Sequence, residues 1–94
     1  MAKQWTPIIH REYTNSLRQV VSDHDRYSLG SAIWDRVIAT EDPTAGATPV
    51  PHRTGRFTLA LLGYIITFEV AVDAAGKILA DAREIKLLPI TKIV

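Results

Sequence analysis

His52, Arg53, Arg56, Arg83 and Lys86 are the residues of this chain whose types and placing could do chemistry. Guanidinium and ammonium groups donate charge-assisted hydrogen bonds to phosphate oxygens. An imidazole beside them titrates near neutral pH and can move a proton. Gathered on one surface, Arg53, Arg56, Arg83 and Lys86 form a phosphate-binding patch with His52 at its rim. Scattered, they are ordinary surface charge, with Arg83 paired to Asp81 or Glu84 and His52 exposed on its loop. The residues speak against other chemistries. There is no cysteine, so neither a disulfide nor a thiolate metal site can form. His10, His24 and His52 are scattered along the chain, and Glu69 and Asp73 are too isolated to act as a carboxylate pair. No phosphate-cradling glycine loop or nucleophile elbow occurs. No cofactor and no metal are expected.

Whether the cations converge depends on the stretch from Arg56 to Lys86. Its runs are rich in β-branched and aromatic residues and are broken at Gly63 and at Asp73-Ala74-Ala75-Gly76, which predicts three strands in an antiparallel meander. The second break suits a turn closed by a left-handed Gly76, with Asp73 bonding its own turn backbone. Period-two alternation puts Leu59, Leu61, Tyr64, Ile66, Phe68, Val70 and Val72 on one face and Thr67, Glu69 and Asp73 on the other. In the third strand Ala80 and Ala82 are small between Asp81 and Arg83. Past Glu84 the alternation breaks, which implies either a bulge near Ile85 or departure from the sheet. The tail from Pro89 to Val94 is strand-like and apolar, an edge that invites a partner chain.

Before the meander, Trp5 ends a short opening strand and Thr6-Pro7 has the form of a helix start. Ile9, Tyr13, Leu17, Val20 or Val21, and His24 recur at helical spacing. Asp23-His24-Asp25-Arg26 reads as a polar break. A second helix is expected from about Ser28, with Leu29, Ile33, Val37 and Thr40 on one stripe, widened by Trp34 and Ile38. Glu41-Asp42-Pro43 ends it. The two helices form a hairpin, with His10 and His24 at surface or boundary positions and Trp5 and Trp34 as packing anchors. The layout is one α+β domain over residues 1–94: a helical hairpin at about 6–42, a loop over 43–55, a meander at about 56–88 and a tail over 89–94. Two N-terminal helices would pack on an antiparallel sheet of three or four strands.

Charge is nearly balanced at 11 basic against 10 acidic side chains, so no global field draws the chain to nucleic acid. The split is uneven: residues 1–50 carry five basic and six acidic side chains, net −1, and residues 51–94 carry six and four, net +2. The positive excess thus lies on the sheet half. No secretory h-region follows Lys3, and the apolar run from Phe57 to Phe68 is interrupted by Thr58, Gly63 and Thr67. A cytoplasmic protein with no membrane partner is expected.

The order of two helices, a loop and a meander containing Gly63-Tyr64-Ile65-Ile66-Thr67-Phe68-Glu69-Val70 resembles the RelE/ParE superfamily of bacterial toxins. Its members carry, in the same place, a segment running Gly-x-Tyr-Arg, two hydrophobic residues, then Tyr-Glu-Val. The likeness covers about Trp5 to Leu87 and includes the Asp42-Pro43 helix stop. It implies the toxin-like component of a type II toxin–antitoxin module, held by a cognate antitoxin, that inhibits translation by ribosome-dependent mRNA cleavage. The alternative within the resemblance is a non-catalytic member that acts by binding, as a poison of DNA gyrase or a protein that only holds its antitoxin. Carried over by position, the family's loop-end basic residues match Arg53 and Arg56, and the basic residue ending the last main strand matches Lys86. The resemblance makes Arg56 and Lys86 the catalytic candidates, with Arg53, Arg83 and His52 on RNA phosphate. The chain departs from the nuclease pattern at Thr58 and Ala60 after Phe57, at Ile65 after Tyr64, and in having no Tyr or His beyond Lys86. Cleavage through the 2′-OH needs a proton acceptor and cations on the phosphorane, and the departures weaken that set.

Overall fold

The computed structural model describes residues 5–93. The chain is α+β, and its sheet is mixed. Thr6–Ile9 forms strand β1, followed by helices α1 (Arg11–Gln19) and α2 (Asp23–Ile33) and a π-helical turn, Trp34–Ile38. Strands β2 (Thr48–Pro49), β3 (Arg56–Leu61), β4 (Tyr64–Val70), β5 (Glu84–Leu87) and β6 (Thr91–Lys92) complete it. The strand order is β1-β5-β4-β3-β2, with β6 also on β4. β1 runs parallel to β5, and the other pairs are antiparallel. The expected all-antiparallel sheet is therefore corrected by its N-terminal strand. Thr6-Pro7 opens that strand and not a helix: the Thr6 N–H donates to Arg83 O at 2.7 Å, so the next residue's N side faces outward, and an outer edge tolerates a proline with no donor there.

Because β1 takes up residues 6–9, α1 starts later than the periodicity suggested, with His10 as its uncapped N-cap. Tyr13, Ser16 and Val21 are buried, whereas Ile9 and His24 are exposed. The expected polar break at Asp23–Arg26 is the first turn of α2. The Ser22 hydroxyl accepts from Asp25 N–H at 3.3 Å, and Asp23 and Asp25 sit where the helix dipole favours carboxylates. Arg26 ties this turn back to α1 by donating to Leu17 O at 3.1 Å and Arg18 O at 2.7 Å, which satisfies carbonyls at the end of α1. Leu29, Ile33, Val37 and Ile38 are buried as expected. The π turn, closed by Ala39 N–H to Trp34 O at 2.7 Å, buries Val37 and Ile38 together and leaves Trp34 45% exposed. Trp34 is thus no packing anchor. Trp5 is one: its backbone N–H donates to Ile38 O and its indole to Thr40 O at 3.0 Å.

β3 and β4 join through Leu62 and Gly63, both at positive φ, and the first of the expected breaks is a two-residue hairpin turn. At the second break Asp73 Oδ1 accepts from the N–H groups of Ala75 and Lys77, and Gly76 is left-handed, as its sequence implied. The expected third strand is shorter than the meander suggested. Only a bridge between Val72 and Ile78 follows the turn, and residues 79–83 turn away before β5 begins at Glu84. One face of the sheet carries Phe57, Leu59, Tyr64, Ile66, Phe68, Val70, Ile85 and Leu87 into the core shared with the helices. Phe57 and Phe68 stack across the β3–β4 ladder at 5.9 Å.

The C-terminal tail is strand-like as expected and pairs within the chain, with β4 on one side of β6. β6 adds Lys92 opposite Tyr64 and Thr91 opposite Ile65. Val94, the last residue of that expected tail, lies outside the described residues. The buried Ser16 hydroxyl donates to Tyr13 O at 2.7 Å and accepts from Ile90 N–H at 2.9 Å, pinning the segment to α1. Ser16→Ala leaves that amide unpaired and is expected to cost about 1–3 kcal/mol in urea unfolding, with faster hydrogen exchange at Ile90. Unchanged stability and exchange contradict the link.

The Tyr64 hydroxyl donates to Asp25 Oδ2 at 2.9 Å and accepts from Ser22 N–H at 3.4 Å, joining β4 to the cap of α2. These bonds from Tyr64 and then Ser22 hold the Asp25 carboxyl below its ordinary 3.8. A depressed folded pKa contributes stability above the unfolded value and loses it as pH falls through the folded one. The destabilisation caused by Tyr64→Phe is therefore expected to be largest near neutral pH and to shrink as pH drops below about 3.8. A pH-independent cost contradicts the assignment.

Candidate phosphate-binding face

The sheet face turned away from the helices carries a row of three charges. Arg56, Glu69 and Lys86 stand directly opposite one another on β3, β4 and β5. Period two sends them to the side opposite Phe57, Phe68 and Leu87. Arg56 Nε donates to Glu69 Oε2 at 3.0 Å, Nη2 forms an ion pair with the same oxygen at 3.0 Å, and Lys86 Nζ lies 3.9 Å from Glu69 Oε1. The side chains are 27%, 30% and 45% exposed, so solvent screens the attraction and each pair is worth about 0–1 kcal/mol. Formal charges of +1, −1 and +1 leave the row at +1. Thr48, Thr58 and Thr67 form the neighbouring row across β2, β3 and β4, with the Thr58 hydroxyl donating to Thr48 O at 3.4 Å.

Of the five residues expected to act together, the structure joins Arg56 and Lys86. Glu69, the residue that joins them, belongs to the Gly63–Val70 segment and was read from sequence only as an isolated carboxylate. Its signal was present in the alternation, since it faces away from Tyr64, Ile66 and Phe68. Arg53 and His52 lie exposed in the turn before β3, with His52 at positive φ. The Arg53 side chain makes no ion pair among the described residues. Arg83 pairs with neither Asp81 nor Glu84; its Nη1 donates to Ala80 O at 3.3 Å and Ala82 O at 2.8 Å, holding the loop ahead of β5. Backbone bonds bring both loops to the same end of the sheet, because Val70 N–H donates to Gly55 O and Leu79 N–H to Ala71 O.

Lys86 also borders a cleft of about 310 Å3, walled by His10, Glu12 and Tyr13 on one side and by Lys86 to Pro89 on the other. Sequence reading gave His10 no ligand role. The reason is local: moving the helix start from Thr6 to Arg11 brings His10 and the first turn of α1 against the end of β5. Among the described residues no three His, Asp or Glu side chains group as metal ligands, and no helix is long and apolar enough to cross a membrane. No protein-family model, curated protein or solved structure matches the chain.

The row can bind an anion only in competition with Glu69. Glu69→Gln releases both cations, and the variant is expected to elute from a heparin column at higher salt than the wild type, since phosphate and sulfate polyanions bind by counterion release. Identical elution contradicts a shared, solvent-facing row.

Proposed function

We propose that this chain is the toxin-like component of a type II toxin–antitoxin module, of RelE/ParE type, which inhibits translation by acting on mRNA at the ribosome. The observation that carries the reading is the row itself. Arg56 and Lys86, the two residues the resemblance assigns to the reacting phosphate, lie in one register on the face the helices leave open. Two cations flanking a phosphodiester can hold its oxygens and stabilise the charge that develops as the 2′-oxygen attacks phosphorus. Work on the ribosome implies a cytoplasmic location and a cognate antitoxin that covers the toxin until release.

A second reading, a non-catalytic protein of the same type acting by binding to its antitoxin or to DNA gyrase, is favoured by one specific observation. Glu69 holds both cations, and the row contains no histidine or tyrosine that could take a proton from the 2′-OH. General base catalysis needs such a group within hydrogen-bond reach of the 2′-OH.

Purified protein added to ribosomes programmed with mRNA separates the readings. The first predicts cleavage in the ribosomal A site that falls at least about a hundredfold in the Arg56→Ala/Lys86→Ala variant, with an unchanged circular dichroism spectrum. Absence of cleavage together with gyrase-dependent DNA breaks supports the second. Toxicity that survives the double substitution overturns the site assignment in both.

A further inference from the structure

One face of α2 is open to solvent along its length. Helical spacing puts Tyr27, Gly30, Ser31 and Trp34 on a single stripe, and the Trp34 N–H, bonded to Gly30 O and Ser31 O, keeps that spacing to the end of the stripe. All four residues are exposed. Tyr27 is 87% and Trp34 45% exposed, and among the described residues neither ring stacks on another.

Gly30 gives an independent observation. Glycine inside a helix is less stable than alanine, and at Gly55 the fold supplies a reason for it, the close approach to Val70 O. At Gly30 one copy of the chain supplies none. Its backbone is helical, and a Cβ built there meets nothing within 4 Å among the described residues. A small residue under open space, between two outward aromatic rings, is a place where a second backbone can come close.

The stripe also reads the same in both directions. Tyr27 and Trp34 stand three residues to either side of the Gly30–Ser31 pair, so a second α2 laid antiparallel across that pair presents the same stripe reversed. Self-complementarity of this kind is what an isologous contact requires. We propose that this face of α2 binds a second copy of this chain, in a twofold dimer whose helices cross at Gly30 and Ser31. Each Tyr27 packs beside Trp34 of the other copy. Charge agrees at the rim: His24 and Asp35, both exposed, lie on one side of the stripe, and the twofold sets His24 of one copy within about 3 Å, along the axis, of Asp35 of the other. Asp23, on the opposite side, is already paired with Arg26. At their observed exposure the two rings offer roughly 300 Å2 per copy. With the residues flanking them, two copies reach the lower bound of a specific interface, about 1,200 Å2. The dimer is therefore a weak one.

The inference does not rest on the toxin-like reading, and its test uses the chain alone. Analytical ultracentrifugation from about 1 μM to about 1 mM is expected to show a monomer–dimer equilibrium with a Kd of roughly 10–100 μM. Tyr27→Ala and Gly30→Gln, the latter placing a good helix former in open space, should each weaken it at least about tenfold with an unchanged circular dichroism spectrum. The chain has no cysteine, so Ser31→Cys reads the crossing point. Mild oxidation should link that variant across the twofold much faster than Ala74→Cys, on an exposed turn. A chain that stays monomeric at about 1 mM overturns the proposal. So does a dimer that both substitutions leave intact, or cross-linking no faster at position 31 than at position 74.

Discussion

The register shared by β3, β4 and β5 is the constraint on which both faces of this sheet depend. Phe57, Phe68 and Leu87 form one cross-strand row in the core, and Arg56, Glu69 and Lys86 form the next row outside. A slip of one residue on any of the three strands would turn its charge inward and its apolar neighbour outward. Burying an unpaired charge is so unfavourable that the apolar face enforces the polar one. Two local features hold the register from its ends. The Leu62–Gly63 turn uses positive φ at both residues, which matches the twist of a two-residue hairpin. At the other end Gly55 packs where an added Cβ would lie 2.6 Å from Val70 O. Only a glycine lets the loop before β3 approach β4 that closely.

Much of the sheet could be read from sequence because alternation and turn chemistry are local. The runs from Phe57 to Leu61 and from Tyr64 to Val70, with the breaks at Gly63 and Asp73–Gly76, carry their own period and their own left-handed glycines. What escaped depended on partners far away in the chain. Thr6-Pro7 satisfies the rules for a helix start and equally those for an edge strand, and the choice is made by Arg83 and β5. Asp23–Arg26 looked like a break because its residues are polar. It is the capped beginning of α2, with Arg26 serving the end of α1 and Asp25 serving Tyr64. The tail reads as a strand, but its fastening to α1 comes only from Ile90 meeting Ser16. The outward Trp34 follows from a π turn, a backbone choice that helical spacing does not reveal.

The charged residues divide by the same logic. Arg56 and Lys86 were singled out by the resemblance, and their shared row with Glu69 follows from the pairing of β3, β4 and β5. Arg83 is spent on the carbonyls of Ala80 and Ala82, and Arg53 and His52 remain on a turn at the same end of the sheet. Lys86 stands between two settings, the open row beside Glu69 and the cleft at the start of α1.

The central claim is that the face carrying Arg56, Glu69 and Lys86 is the one that meets phosphate. Its most direct measurement is an amide chemical-shift titration of the labelled chain with a short single-stranded RNA at low salt. Shifts concentrated on Arg56, Thr58, Thr67, Glu69 and Lys86, and lost as salt rises, are the predicted result. Shifts confined to α1 and α2, or a spectrum that RNA leaves unmoved, would contradict it.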